Sequence, residues 1–481
     1  MGFPPGFVWG TATAAYQIEG AATEDGRAPS IWDTFSHTPG KVVDGDTGDV
    51  ACDHYHRWPE DLRLLEELGV TAYRFSVAWP RVGPAPGVVE RRGLDFYRRL
   101  TGSLRERGIT PFVTLYHWDL PQWLEDQGGW RSRDTAHAFA DYAAVMADAL
   151  GEFAPTWITL NEPYCSAIVG YAQGRHAPGA QEGHGALAAA HHLLLGHGLA
   201  LPALRGTGEV GVTLNQSPAV PLTSTLDDAA AARRQDLLVN RLFLDPLLTG
   251  AYPDDYGDVW GRLTDRSFIH DGDLATISAP LDFLGVNYYF RIHVGAAPVA
   301  GDTAYDIGVH TVTPVGPERT GLDWPIEPDG LRQTLLGLRD RYPRLPPIHI
   351  TENGCAYPDV VDDDRRIAFI EAHLASLAEA MAAGVDVRGY FYWSLIDNFE
   401  WARGYGPRFG LIHVDYSTQR RTPRASYHWL QARLRSGAGQ RGGQRLGVPL
   451  VDPGERQGDA VAGGTKGDPD QADQADLRLG Q

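Results

Sequence analysis

The stretch Trp157–Ser166, WITLNEPYCS, is an apolar run rich in β-branched residues that stops abruptly at an amide, a carboxylate and a proline, Asn161-Glu162-Pro163. Such a run reads as a strand buried on both faces, and an ionisable group at its end is costly unless that end opens onto something polar. It lies within TWITLNEP (156–163), and seven further runs share the pattern: FVWGTATAAYQ (7–17), GVTAYRFSVAW (69–79), ITPFVTLYHW (109–118), GEVGVTLNQ (208–216), LDFLGVNYY (281–289), PIHITENG (347–354) and GYFYWSLIDN (389–398). Between them lie amphipathic segments such as EDLRLLEELG (60–69) and DFYRRLTGSLRERG (95–108), whose apolar residues recur every three or four positions, as on one face of a helix.

Repeated strand and helix units in one chain predict a single α/β domain, a (β/α)8 TIM barrel over residues 1–435 with long βα loops. A doubly wound open sheet is the competing architecture. It is disfavoured because no GxGxxG follows the first strand, and the glycine cluster GAGQRGG (437–443) lies far from any strand. From Ser436 onward the chain has no aromatic residue and is dominated by Gly, Asp, Gln, Ala and Pro. Residues 436–481 are therefore expected to form a disordered low-complexity tail, unable to bury enough apolar surface to offset the entropy of ordering.

The 481 residues carry a formal charge of −19, which would repel a phosphate backbone or an anionic membrane surface and argues against nucleic acid as a partner. Lys41 and Lys466 are the only lysines, so Schiff-base and P-loop chemistry are hard to build. Cys52, Cys165 and Cys355 are odd in number and lack CxxC spacing, which suggests neither a disulfide framework nor a zinc site. CDHYH (52–56) resembles a metal box but has no second cluster to complete one, so no metal and no cofactor are expected. MGFPPGFVWG, at the start, has neither the basic segment nor the apolar core of a secretory signal. GALAAAHHLLLGHGLALPAL (185–204) is interrupted by His191, His192 and His197 and reads as a core helix rather than a membrane span. A cytoplasmic protein with no membrane partner is the expectation, its oligomeric state left open.

A barrel places the carboxyl ends of its strands on one face, where enzymes of this architecture work. In order, those ends offer Gln17, Arg74, His117 with Trp118, Asn161 with Glu162, Asn215, Asn287 with Tyr289, Glu352, and Trp393 with Glu400 and Trp401 just beyond the eighth strand. Singly, each has a bland reading: a glutamate after a strand is more often a cap or salt-bridge partner, and a lone Trp or His is more often core. Their joint occurrence in the register of eight strands is not readily produced by chance. Glu162 and Glu352, at the fourth and seventh ends, would face each other across the mouth. Cleaving a glycosidic bond needs one protonated carboxyl to donate to the leaving oxygen and one ionised carboxyl to attack the anomeric carbon or activate water. Spacing alone does not say which glutamate does which. The amides and aromatic rings of Gln17, His117, Trp118, Asn161, Asn287, Trp393 and Trp401 suit a polyhydroxylated ring with apolar faces.

TLNEP (159–163) and ITENG (350–354) also resemble the two signature motifs of glycoside hydrolase family 1, the retaining β-glucosidase family. FVWGTATAAYQIEG (7–20), DHYHRWPEDLRLLEELGVTAYRFSVAWPRV (53–82), LYHWDLPQWLED (115–126) and YWSLIDNFEWARGYGPRFGLIHVDY (392–416) are similar to family stretches in the family's order. The resemblance spans residues 3–433. It implies that Glu162 is the general acid/base and Glu352 the nucleophile. It further implies that Gln17, His117, Asn161, Glu400 and Trp401 hydrogen-bond the sugar, Asn161 at the 2-hydroxyl, and that Trp393 packs under the ring. Arg74 and Tyr289 would contact Glu352, the cation keeping it ionised and low in pKa, and Asn287 would support this shell. The expected substrate is a small β-glycoside, most simply a β-glucoside, with galactoside or fucoside activity as an alternative. Family members acting on 6-phosphorylated glycosides usually replace the glutamate at the Glu400 position, so its presence implies an unphosphorylated sugar. A non-catalytic sugar-binding barrel is the competing class, and its sequence mark would have been loss of either glutamate.

Overall fold

Eight parallel strands close into a barrel: β1 (Val8–Ala12), β2 (Ala72–Ser76), β3 (Thr110–Tyr116), β4 (Thr156–Asn161), β5 (Val210–Asn215), β6 (Phe283–Asn287), β7 (Ile348–Asn353) and β8 (Val387–Trp393). Each pairs with its neighbours in chain order, and β8 returns to β1. The computed structural model describes residues 2–439 apart from 262, 264, 359 and 360. The strands read as apolar runs because their outer faces meet helices and their inner faces meet one another. Inside, Phe112 of β3 packs on Phe391 of β8 and Phe283 of β6, with ring centroids 4.7 and 6.2 Å apart. Glycines make the room: a Cβ at Gly10 would lie 2.3 Å from the Phe391 ring, and one at Gly211 2.6 Å from the Phe283 ring. The interior is thus a packed core rather than a pore, and burying each ring contributes about 1.5–3 kcal/mol.

The outer helices follow the sequence periodicity. Helix Arg91–Glu106 buries Phe96, Tyr97, Leu100 and Leu104, and the Glu90 carboxylate caps it by accepting from the Arg92 amide at 3.1 Å. Helix His184–Leu204 is long and apolar enough to cross a membrane, yet it is largely buried in the fold and packs on helix Arg133–Leu150. His191 meets the Tyr252 hydroxyl at 2.9 Å and Asp273 at 3.0 Å, and His192 meets the Trp130 carbonyl at 2.9 Å. Both are helix-packing residues, as expected.

Several boundaries differ from the sequence reading. β1 ends at Ala12, and Ala15–Ile18 turns into a short helix, so Gln17 reaches the mouth from that helix and not from a strand end. β8 begins two residues early, at Val387, because the exposed Arg388 at its outer end breaks the apolar pattern. The loops after β5 and β6 contain strands Ala219–Pro221, Ile292–Ala296 and Val309–Val312, which pair as a small separate sheet. Helix Ala425–Gly439 continues through 436, the expected start of the tail. Its apolar residues Tyr427 and Leu430 join the core, and Leu434 packs against it. The remainder of the expected tail, 440–481, lies outside the described residues. In CDHYH the side chains take separate partners: Cys52 donates to the Asp397 carbonyl at 2.8 Å, and His54 meets Asp61 at 2.8 Å. Among the described residues, no group of three or more His, Cys, Asp or Glu side chains comes together as a metal site.

Candidate active site

Glu352 lies in β7, and Glu162 is the first residue beyond β4. Arg74, from β2, reaches Glu352 Oε1 with Nη1 at 2.6 Å and anchors the same nitrogen on the Thr351 carbonyl at 3.1 Å. Its other terminal nitrogen donates to Asn161 Oδ1. Tyr289 donates its hydroxyl to Glu352 Oε2 at 2.8 Å. The opposing carboxyl is held by neutral groups: Asn287 Nδ2 donates to Glu162 Oε1 at 2.7 Å, and the Cys165 thiol donates to Oε2 at 3.3 Å. Thr351 donates to Asn287 Oδ1 at 2.8 Å, which fixes the amide so that its NH2 faces Glu162.

This asymmetry decides the electrostatics. Burial first, and the negative charge of Glu352 second, push the Glu162 pKa up to about 8. Burial raises Glu352 as well, against the opposing pull of Arg74, Tyr289 and Asn287. Arg74 therefore does not bring Glu352 below the ordinary range, as the resemblance implied, because desolvation outweighs it. The ion pair does make Glu352 the carboxyl that ionises first, leaving the proton on Glu162. His117 is neutral, its pKa driven well down by burial and then by Arg74.

A cavity of about 830 Å3 opens at this end of the barrel. Eight of the thirteen residues singled out in the sequence line it: His117, Trp118, Glu162, Tyr289, Glu352, Trp393, Glu400 and Trp401. Gln17, Arg74, Asn161 and Asn287 stand behind this lining, each 0–1% exposed. Asn215 does not join the cavity; its carbonyl accepts from Gln216 at 2.7 Å. Two buried polar atoms of the set have no partner in the protein, Gln17 Oε1 and His117 Nδ1. Gln17 is fixed by donating to Asn398 Oδ1 at 2.8 Å and the Phe399 carbonyl at 2.9 Å. Asn161 Nδ2 meets His117 Nε2 at 3.1 Å. With the amide as donor, Nε2 accepts, so Nδ1 carries the hydrogen of the neutral ring.

Aromatic rings shape the wall. His117 stacks on Trp393 and on Trp401, each with centroids 5.9 Å away. Trp118 packs on Trp401 at 4.5 Å and commits its indole N–H to the Asn161 carbonyl at 2.9 Å. Trp118, Glu162 and Trp401 have φ of 77°, 46° and 53°. Such left-handed backbone costs an ordinary residue about 1–3 kcal/mol and is kept where surrounding structure over-determines it. The Glu162 amide, donating to the Thr213 carbonyl of β5 at 2.9 Å, is one such restraint.

Sequence reasoning missed the outer lining, including Phe35, Lys41, Arg175, Tyr357 and Arg403, because these arrive from loops with no periodic signal. It also passed over Cys165 and Thr351. Cys165 stands three residues after Glu162, a spacing that puts two side chains on one helical face, and here the chain turns at once into wide helical turns over Cys165–Ala172.

Two carboxyls of unequal proton affinity at one barrel mouth, ringed by amides and stacked rings, define a site for acid–base chemistry on a polyhydroxylated ligand. The model of glycosyl hydrolase family 1 matches residues 1–437. A bifunctional β-D-glucosidase/β-D-fucosidase of Bifidobacterium breve is 48% identical over 89% of this chain and 97% of its own length. The crystal structure of the GH1 β-glucosidase from Exiguobacterium antarcticum B7 is 43% identical and superposes with a TM-score of 0.88, covering 91% of this chain and 99% of that one. The β-glucosidase from Thermotoga maritima in complex with deoxynojirimycin, also 43% identical, gives a TM-score of 0.85 over 91% of this chain and 99% of that one. The chain belongs to glycosyl hydrolase family 1.

Proposed function

We propose that this protein is a retaining β-glucosidase that removes terminal β-D-glucosyl residues from cello-oligosaccharides and from aryl or alkyl β-glucosides. The unequal partnering of Glu162 and Glu352 carries the reading. Glu352, ion-paired to Arg74 and hydrogen-bonded by Tyr289, is the ionised nucleophile that attacks the anomeric carbon. Glu162, among neutral donors and with its pKa up near about 8, keeps a proton for the departing alkoxide. The C–O bond to the aglycone breaks as the bond to Glu352 forms. In the second half, Glu162 takes a proton from water, which displaces Glu352 and restores the β configuration. Double displacement of this kind works with the carboxyls about 5–5.5 Å apart.

The orphaned polar atoms support sugar binding. A buried donor or acceptor without a partner costs about 1–3 kcal/mol; a hydroxyl donating to Gln17 Oε1 and one accepting from His117 Nδ1 would satisfy both. The flat face of Trp393 suits the apolar face of the ring. Glu400, buried at the cavity wall, favours an unphosphorylated sugar. The B. breve relative's printed name supports β-D-fucosides as a second substrate class. Three buried free thiols, Cys52, Cys165 and Cys355, support a reducing, cytoplasmic setting. Proton NMR of the first-formed sugar from a β-glucoside tests the reaction course: β-glucose is expected, and α-glucose would overturn it.

A further inference from the structure

The outer half of the cavity is cationic. Lys41, Arg175 and Arg403 all line it, and among the described residues the only acidic ones in its lining are the three inner glutamates, Glu162, Glu352 and Glu400. In a chain of net charge −19 with two lysines, one of those lysines stands at this mouth. The three cations come from different loops, those following β1, β4 and β8, so no single turn places them together by accident of sequence.

Lys41 is exposed, its Nζ 5.5 Å from the centre of the Phe35 ring and within 3.5 Å of where a Cβ on Gly179 would stand. Gly179 in turn adjoins Gly174, the neighbour of Arg175. Arg175 directs Nε and Nη2 onto the amide oxygen of Gln173, a neutral partner. Among the described residues, no carboxylate pairs with Lys41 or Arg175. Burial disfavours the charge of Arg403, Glu400 opposes this, and the neighbouring charge of Arg175 adds to the cost. Apolar groups complete the mouth, among them Phe35, Val42, Leu322 and Tyr357. A cluster of like charges on an apolar rim is a cost that an incoming anion removes.

We infer that the aglycone end of this site selects β-glucosides whose aglycone is an aromatic ring bearing a carboxylate, the ring lying on the apolar rim and the anion between Lys41 and Arg175. This rests on the glucosidase reading above and deepens it. The inner carboxyls do not forbid such a guest: Glu162 and Glu400, both raised to about 8, are largely protonated at neutral pH, and Glu352 is paired with Arg74.

The test compares 4-(carboxymethyl)phenyl and 4-(carbamoylmethyl)phenyl β-D-glucoside, which match in size and in leaving-group quality but differ in charge. The wild type is expected to show a KM for the acid about fivefold below that for the amide at low ionic strength, the upper range for a partly exposed ion pair. That advantage should shrink in concentrated NaCl and fall to about unity in K41Q/R175Q, again within the exposed-pair range. Equal KM values for the two glucosides in the wild type, or an advantage indifferent to salt, would overturn the inference while leaving the glucosidase reading intact. Turnover of neither glucoside would instead overturn that reading. Preference for a 6-phospho-β-glucoside over its unphosphorylated counterpart would put the recognised anion on the sugar and also overturn the inference.

Discussion

Arg74 and Glu352 form an ion pair of 2.6 Å with side chains only 1% and 4% exposed. Removing one partner of such a pair leaves an uncompensated buried charge, at a cost of about 3–5 kcal/mol. In Arg74→Gln the carboxyl of Glu352 loses the group that most opposes its desolvation, so its pKa rises further. The acid limb of kcat/KM should move to higher pH and the plateau should fall about a hundredfold, the scale of losing one electrostatic contact to a reacting group. An acid limb unmoved in Arg74→Gln would detach Arg74 from the nucleophile.

The alkaline limb belongs to Glu162. Activity needs this carboxyl protonated for the first step, so it should decline as pH rises through about 8. Glu162→Gln cannot titrate, and its residual activity on an aryl glucoside with a good leaving group should show no alkaline limb. Persistence of the limb in that variant would assign it to another group.

Cys165 tunes that same carboxyl. Its thiol donates to Glu162 Oε2 at 3.3 Å and so favours the ionised form. Cys165→Ala should shift the alkaline limb upward, whereas Cys165→Ser, which keeps a donor, should hold it near the wild-type position. The pH dependence of kcat/KM for the pair separates this effect from a packing change, which would lower the plateau without moving the limb.

Glu400 predicts a pH dependence of stability. Burial, with Glu352 and Glu162 adding to it and Arg403 opposing, raises its pKa to about 8, against about 4.3 in an unfolded chain. Between those values the native carboxyl keeps a proton that the unfolded one has released, so stability falls as pH rises through the window. The thermal midpoint of Glu400→Gln should decline less steeply than that of the wild type over this range. Parallel slopes in calorimetry would contradict the assignment.

The barrel was legible because its strands are buried on both faces and so read as apolar runs ending in polar residues. The misplaced ends have local causes. Arg388, exposed within β8, hid the strand's first residues, and the helical turn at Ala15–Ile18 follows an alanine-rich stretch that reads equally well as strand. Glu162 and Glu352 could be named as a pair, but their division of labour was not legible in their spacing. It depends on which receives a guanidinium and which receives an amide and a thiol; the guanidinium of Arg74 and the amide of Asn287 lie on strands distant in sequence, and the thiol of Cys165 reaches Glu162 only through the helical turn that follows β4. The cationic rim was invisible for the same reason: Lys41, Arg175 and Arg403 are ordinary loop residues until the fold brings them to one mouth.

The central claim is that Glu352 bonds covalently to the sugar while Glu162 moves the proton. Peptide mass spectrometry after incubation with a 2-deoxy-2-fluoro-β-glucoside bearing a good leaving group tests it most directly. A fluoroglucosyl ester on Glu352 is the expected result, and an ester on Glu162 or Glu400, with Glu352 unmodified, would contradict the account.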